Sequence, residues 1–301
     1  MSERLFRKIL VPIDLHDPSI AALHYAGVIA RRFGSEVTLM YADEVASLFG
    51  AYDTEFLAYH IESSKELQRE ETALRGLAEK YLPGGAEPSI VVIPGYPVAS
   101  IVRVAAEENA DLIVLGSRER GGLRRILAGS IVEGVIRAAS QPVLVAPALP
   151  QNGAKPERIA RVVCPVNFTD TAHEALEMAC SVANAFASEL LLVHVQERAG
   201  FDAQSVRDGF RACLSDEQRR QCVVHEMVLH GGPADRIVHC IEEAGADLLV
   251  IGAQVKSLRT DTVLGTTAER LLRLSPVPVL AVRRRTDTAE QKEHAEEAFA
   301  E

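Results

Sequence analysis

Short runs of apolar residues alternate along this chain with longer segments in which apolar positions recur every three or four residues. KILVPID near the N-terminus is such a run, and residues 18–33 follow it with helical spacing at Ile20, Leu23, Val28 and Ile29. EVTLMYA is the second run. Residues 54–81 then place Leu57, Ile61, Leu67, Leu74 and Leu77 on one side of a long amphipathic helix. SIVVI and DLIVLG are the third and fourth runs, with a helix predicted over 97–109 between them, and a helix over 129–139 leads to PVLVAP. An uninterrupted apolar run is what a strand buried on both faces of a parallel sheet looks like. Runs alternating with helices therefore predict an α/β fold, an open five-stranded parallel sheet wound on both sides.

The pattern occurs twice. Shifted by 153, residues 8–42 fall on 161–195 with 10 of 35 identical, among them Pro12/Pro165, Asp17/Asp170, Phe33/Phe186 and Glu36/Glu189. Shifted by 136, residues 94–146 fall on 230–282 with 16 of 53 identical, including Gly95/Gly231, Pro97/Pro233, Asp111/Asp247, Gly116/Gly252 and Gly129/Gly265. Neither block needs a gap, so the chain reads as a tandem repeat. The difference between the shifts is confined to residues 43–93, and the second copy carries a shorter second helix near 202–220. Two domains are expected, over 1–148 and 158–284. ALPQNGAKPE at 148–157, with two prolines and a glycine, links them. An acidic tail over 285–301 follows, read as a frayed helix or disordered chain.

Composition narrows the function. A net charge of −10 argues against non-specific binding to nucleic acid or an anionic membrane, both of which require a basic face. No stretch approaches the roughly 20 uninterrupted apolar residues of a membrane helix, and the apolar run before Asp14 is too short for a signal segment. A cytoplasmic location is the expectation. The five cysteines, Cys164, Cys180, Cys213, Cys222 and Cys240, all lie in the second copy and form no C-x-x-C pair. They read as free, mostly buried thiols of a reducing compartment.

In an open parallel sheet, ligands collect at the carboxyl ends of the strands near the switch point of strand order. Three features of the first copy converge there. Asp14 follows the first strand, where a carboxylate can accept hydrogen bonds from ribose hydroxyls. Gly116 follows the fourth strand and opens the loop GSRERGGLRRILAGS, in which Arg118, Arg120, Arg124 and Arg125 add positive potential. Gly129-Ser130 begins the next helix, and a helix N-terminus with a hydroxyl suits phosphate. Each feature also has a purely structural reading: glycines let the chain turn, Ser130 caps its helix, and Asp14 bonds its own backbone. His16 reads as leading into the first helix. His194, His225, His230 and His239 in the second copy lack an i, i+4 pair for a metal, and no metal site is expected. Walker A, G-x-G-x-x-G, G-x-S-x-G and H-E-x-x-H patterns are all absent from the sequence.

VPID, the G-x-P step at Gly95-Tyr96-Pro97, ADLIVLGS, GGLRRILAGS and QPVLVAP together resemble the universal stress protein family, over nearly the whole chain and in two successive copies. The resemblance implies two tandem five-stranded parallel domains of the Rossmann-like, adenine nucleotide alpha hydrolase-like kind. It also implies a G-x2-G-x9-G-[S/T] loop for ATP. On that pattern Gly116, Gly129 and Ser130 would contact phosphate, Asp14 the ribose, and the strand end at Ala42 the adenine. Pro12, Ile13, Ser117, Arg118 and Ile131 complete the implied nucleotide set. The middle glycine of the loop is Glu119 here. Three readings of it stand: it faces solvent, it helps hold Mg²⁺ against the phosphates, or it marks a site that prefers AMP or ADP or binds nothing.

The second copy departs further. Asn167 replaces the aspartate, and Val255 stands at the middle loop position. Asn167, Val195, Gly252, Gly265 and Thr266 form at most a weaker second site. The leading expectation is a stress-response protein that binds ATP, ADP or AMP mainly in its first copy. Hydrolysis is slow at most, because no residue stands out as a base to activate water. The alternative is a nucleotide-independent interaction module whose copies pair as a pseudo-dimer. The last strands, PVLVAP and PVPVLAV, are expected at sheet edges, which tend to be paired; dimerisation of whole chains is left open.

Overall fold

The computed structural model describes residues 5–43, 54–82, 87–119, 126–127, 130–149, 157–168, 170–197, 203–253, 255–258 and 261–283. The chain divides into two compact units, each holding one copy of the strand–helix pattern.

In the first unit the elements run β1 (Lys8–Pro12), α1 (Asp17–Phe33), β2 (Glu36–Asp43), α2 (Thr54–Tyr81), β3 (Ser89–Pro94), α3 (Pro97–Glu107) and β4 (Leu112–Gly116). In sequence the two-residue strands β5 (Arg118–Glu119) and β6 (Ile126–Leu127) come next, residues 119–128 grouping with the second unit, and α4 (Ser130–Ala138) and β7 (Val143–Ala146) complete the first. The main strands lie in the order β7-β4-β1-β2-β3 and every pair is parallel. The order reverses at β1, whose neighbours are β2 on one side and β4 on the other. Ile9, Leu10 and Val11 of β1 and Leu112, Ile113 and Val114 of β4 are almost wholly buried, each fully buried side chain contributing about 1.5–3 kcal/mol. This is the physical origin of the uninterrupted apolar runs. β3, last in the order, is only half-buried.

α1 packs with α2, and α3 with α4; right-handed crossovers place the two pairs on opposite faces of the sheet. Residues 21–29 of α1 are all buried, so this helix is covered on every side rather than along one stripe. At Gly27 an added Cβ would lie 2.7 Å from the Tyr81 carbonyl oxygen, which explains a glycine where α2 ends against α1.

The second unit repeats the plan with β8 (Arg161–Pro165), α5 (Asp170–Phe186), β9 (Glu189–Gln196), α6 (Ala203–Cys213), α7 (Asp216–Gln221), β10 (Val223–His230), α8 (Pro233–Ala244) and β11 (Leu248–Gly252). It closes with β12 (Val255–Leu258), β13 (Asp261–Leu264), α9 (Thr266–Leu274) and β14 (Val279–Val282). The parallel order is β10-β9-β8-β11-β14. Two details differ from expectation. The helix predicted near 202–220 is two helices, because Ser215 starts a new one: its hydroxyl accepts from Gln218 N at 3.3 Å while the Gln218 side chain accepts from Ser215 N at 2.9 Å. The segment read as a loop after Gly252 contains an antiparallel hairpin, with Val255 opposite Leu264.

Backbone geometry reproduces the repeat. Among the described residues, positive φ occurs at Leu15 and Phe168 (60° and 58°), Gly34 and Ala187 (64° and 53°), Gly95 and Gly231 (147° and 125°), and Asn109 and Gly245 (52° and 59°). All four pairs fall on the two sequence shifts. Hydrogen bonds repeat as well: Ser35 Oγ donates to Phe6 O at 2.7 Å, and Ser188 Oγ to Ile159 O at 2.6 Å. No helix of the described residues is long and apolar enough to cross a membrane. Residues 150–156 of the linker and 284–301, which include the acidic tail, lie outside the described residues.

Candidate functional site

The turn from β1 into α1 is built by its own short side chains. Ile13 N donates to Met40 O at 2.8 Å, extending the pairing with β2 past the strand end. Asp14 is exposed, and its Oδ1 accepts from His16 N at 3.1 Å, an Asx turn of the kind expected of aspartate between a strand and a helix. Leu15 takes the left-handed backbone this turn requires. His16 is the N-cap of α1, and Ser19 Oγ donates to the His16 carbonyl at 2.8 Å. Asp14 is therefore held at the strand end by local bonds.

Beside this turn lies a cavity of about 370 Å³, within the size range of small-molecule sites. Pro12, Ile13, Asp14 and His16 come from the β1–α1 turn; Met40, Tyr41 and Ala42 from the end of β2; Leu115 and Gly116 from the end of β4. α3 contributes Pro97 and Ile101, and α4 contributes Ser130, Ile131 and Val132. The cavity thus occupies the switch point between β1 and β4. First-turn residues of α1, α3 and α4 border it, and the first turn of a helix leaves backbone N–H groups without intrahelical partners. The positive ends of the helix dipoles at these first turns favour an anionic group there.

Of the residues singled out in the sequence, the structure brings Pro12, Ile13, Asp14, Ala42, Gly116, Ser130 and Ile131 to this one cavity. Ser117 lies apart: it is buried, and both its N–H and its hydroxyl donate to Ala146 O, at 2.9 and 3.0 Å, tying β4 to β7. Gly129 and the arginines at 120, 124 and 125 lie outside the described residues, as do the side chains of Arg118 and Glu119. Gly116 has a second reason to be glycine. A Cβ there would overlap the Pro18 carbonyl and come within 2.8 Å of Ser19 N, so the first turn of α1 rests directly on this backbone. Met40, Tyr41, Pro97 and Ile101 were not singled out. Tyr41, beside Ala42 at a strand end, and Pro97, in the G-x-P step, were the signals available.

The corresponding place in the second unit is built differently. Phe168, at the position of Leu15, stacks on His194 with ring centroids 4.7 Å apart and meets Phe210 edge-on at 5.7 Å. His194, at the position of the cavity-lining Tyr41, has Nδ1 2.9 Å from the Val166 carbonyl. Aromatic rings thus occupy the wall at the ends of β8 and β9. Asn167 is exposed and Val195 half-buried on β9; Gly252 ends β11, and Gly265 caps α9 ahead of the exposed Thr266. An added Cβ at Gly265 would meet nothing within 4 Å. The side chains of Val255 and Asp261 lie outside the described residues. His239 pairs with Glu243 at 3.3 Å, while His225 and His230 are exposed on β10.

Known proteins agree with this architecture. A universal stress protein of Methanocaldococcus jannaschii is 36% identical over 143 residues, covering 48% of this chain and 83% of its own length. A universal stress protein of Mycolicibacterium smegmatis is 25% identical over 295 residues, covering 92% of this chain and 97% of its own. The crystal structure of a universal stress protein from Archaeoglobus fulgidus superposes with a TM-score of 0.73 at 26% identity, covering 92% of this chain and 98% of that one. The model of the universal stress protein family matches residues 5–147 and again residues 158–283, and this chain, with two copies in tandem, belongs to that family.

Proposed function

We propose that this chain is a cytoplasmic stress-response protein that binds an adenine nucleotide in the cavity of its first unit and acts as a sensor or regulator, with slow hydrolysis at most. One observation carries the reading. The cavity at the β1–β4 switch point combines an apolar wall (Ile13, Met40, Ile101) with a carboxylate at Asp14 and the first turn of α4 at Ser130. An apolar wall suits a purine ring, a carboxylate suits ribose hydroxyls, and a helix N-terminus suits phosphate. Ala42, at the end of β2, offers backbone groups to the base edge. Mg²⁺ would accompany a triphosphate through solvent and phosphate oxygens.

The second unit supports a different role. Phe168 and His194 pack against one another where the first unit is open, and Asn167 lacks the carboxylate. This unit is read as at most a weak second nucleotide site; the alternative for the whole chain is a nucleotide-independent interaction module whose two copies pair.

The test is direct. Mass spectrometry of small molecules released from denatured purified protein, followed by calorimetric titration with ATP, ADP and AMP with and without Mg²⁺, is expected to show one nucleotide per chain. Gly129→Val should weaken binding and Asn167→Ala should leave it unchanged. Absence of carried nucleotide together with no heat at millimolar nucleotide would overturn the reading; binding abolished by Asn167→Ala but not by Gly129→Val would reverse the two units.

A further inference from the structure

The cysteines of the second unit are not scattered in space. Cys180 lies on the inner side of α5, and Cys222 is the C-cap of α7, immediately before β10. Cys222 Sγ donates to the Cys180 carbonyl at 3.4 Å, across 42 residues of sequence. That contact makes the two buried cysteines neighbours, one inside α5 and the other at the end of α7. Cysteines commonly serve as small core residues, and Cys164, within β8, fits that description: burial pushes its thiol up to about 12. The neighbouring pair is different, because the Cys222 sulfur bonds to the backbone of the other cysteine.

We propose that Cys180 and Cys222 form a reversible dithiol, oxidised by a low-molecular-weight disulfide, with Cys222 as the attacking sulfur and Cys180 as the resolving one. Cys222 thiolate attacks one sulfur of the small disulfide; a mixed disulfide forms on Cys222 and one small thiolate leaves. Cys180 then loses its proton and attacks the Cys222 sulfur, the Cys180–Cys222 bond forms, and the second small thiolate leaves. Two protein thiols are oxidised and one small disulfide is reduced to two thiols. The attacking role falls to Cys222 because it ends α7, which buries none of its own residues, whereas Cys180 lies inside α5; the neighbouring Cys180 thiol also lowers the Cys222 thiol. The Cys222 thiol and burial together push the Cys180 thiol up.

Access to Cys222 follows from its position. α7 buries none of its own residues. It is held by the Ser215–Gln218 cap, an Arg219–Glu226 ion pair at 2.9 Å and the Arg219 bond to Phe210 O at 2.7 Å. Cys222 itself is buried, so attack on it requires α7 to open, and an element with so few buried contacts opens locally far more often than the sheet does.

The experiment uses the reduced full chain under native conditions, treated with glutathione disulfide, quenched in acid and mapped by peptide mass spectrometry. The expected product is a linked Cys180–Cys222 peptide, with the intact mass reduced by two hydrogens and restored by dithiothreitol. Cys180→Ser should stop with glutathione attached to Cys222, and Cys213→Ser should leave the linkage intact. The alkylation rate of Cys222 should rise as pH passes upward through about 7. Cys180→Ala should displace that rise to higher pH, and Cys180→Ser, which keeps a donor, should largely restore it. Glutathione found on Cys213 alone, or a linked peptide that forms only after denaturant is added, would overturn the proposal without variants being needed.

Discussion

Gly34 and Ala187 occupy the same left-handed position after matching helices, with φ of 64° and 53°. The last helical bond differs between the copies: Gly34 N donates four residues back to Ala30 O at 2.7 Å, and Ala187 N three residues back to Asn184 O at 3.2 Å. A serine follows in both, donating its N–H to Ala30 O at 3.1 Å and Ala183 O at 2.8 Å respectively. One copy has the residue that tolerates this backbone at no steric cost, and the other has a Cβ that opposes it.

The strain at Ala187 is therefore removable. Ala187→Gly is expected to stabilise the second unit by about 1 kcal/mol and Gly34→Ala to destabilise the first by about the same. Denaturant unfolding followed by far-ultraviolet circular dichroism reads both shifts. Opposite signs are required; destabilisation by both substitutions would mean that the Cβ of Ala187 contributes packing the backbone argument ignores.

Asp111 and Asp247 perform one task twice. Asp111 accepts from the backbone N–H groups of Arg7 and Lys8 at 2.8 and 3.0 Å, and Asp247 from Ala160 and Arg161 at 2.7 and 2.9 Å. Each carboxylate fixes the start of its unit's fourth main strand against the start of its first. Replacing either with alanine leaves two donors without their acceptor and should cost roughly 1–3 kcal/mol. Asparagine, which keeps one acceptor oxygen, should recover part of that loss. Equal unfolding midpoints for Asp111→Ala and wild type would show that these bonds exchange freely with water.

Much of this fold was legible in the sequence because its strands are buried on both faces. KILVP and LIVLG announce themselves as apolar runs, whereas VVHEMVLH, the exposed strand β10, does not. The break between α6 and α7 was missed although Ser215 and Gln218 carry the spacing of a capping box; a helix-period pattern runs through Leu214 and conceals it. Asp14 and Ser130 could be placed at the cavity because they follow the first strand and start the helix after the fourth, the ends that meet at a switch point. Met40 and Ile101 could not, since an apolar side chain facing a cavity looks the same in sequence as one facing the core. Ser117 shows the converse: polar and adjacent to Gly116, it serves the sheet through Ala146.

Gly116 separates steric need from ligand contact. Its missing Cβ makes room for the Pro18 carbonyl and Ser19 N, and neither can retreat without moving the start of α1, where Ser19 is bonded to His16. Gly116→Ala is expected to destabilise the first unit by about 1–3 kcal/mol, the range for overpacking a closed site. Gly265→Ala, with open space at its Cβ and φ of −60°, should change stability by less than about 0.5 kcal/mol. Thermal unfolding of the two variants side by side gives the comparison, and a cost at Gly265 as large as at Gly116 would refute the steric account.

Asp14 combines two roles that substitution can separate. Its Oδ1 accepts from His16 N at 3.1 Å, and the residue lines the cavity. Asparagine keeps an acceptor for the turn but loses the charge; alanine loses both. Stability should therefore follow the turn, with Asp14→Asn close to wild type and Asp14→Ala lower by about 0.5–1.5 kcal/mol. Nucleotide affinity should follow the acceptor presented to the ribose. On the proposed reading, Asp14→Asn should bind a few-fold more weakly and Asp14→Ala about tenfold more weakly or worse, since a lost hydrogen bond to a charged group is worth about 1.5–3 kcal/mol. The 2′-deoxy and 3′-deoxy forms of the same nucleotide provide the control: wild type should discriminate against at least one of them, and Asp14→Ala should not. If both variants keep full affinity and the same discrimination, Asp14 is a turn residue only, and the ribose must be held from β2 or α4.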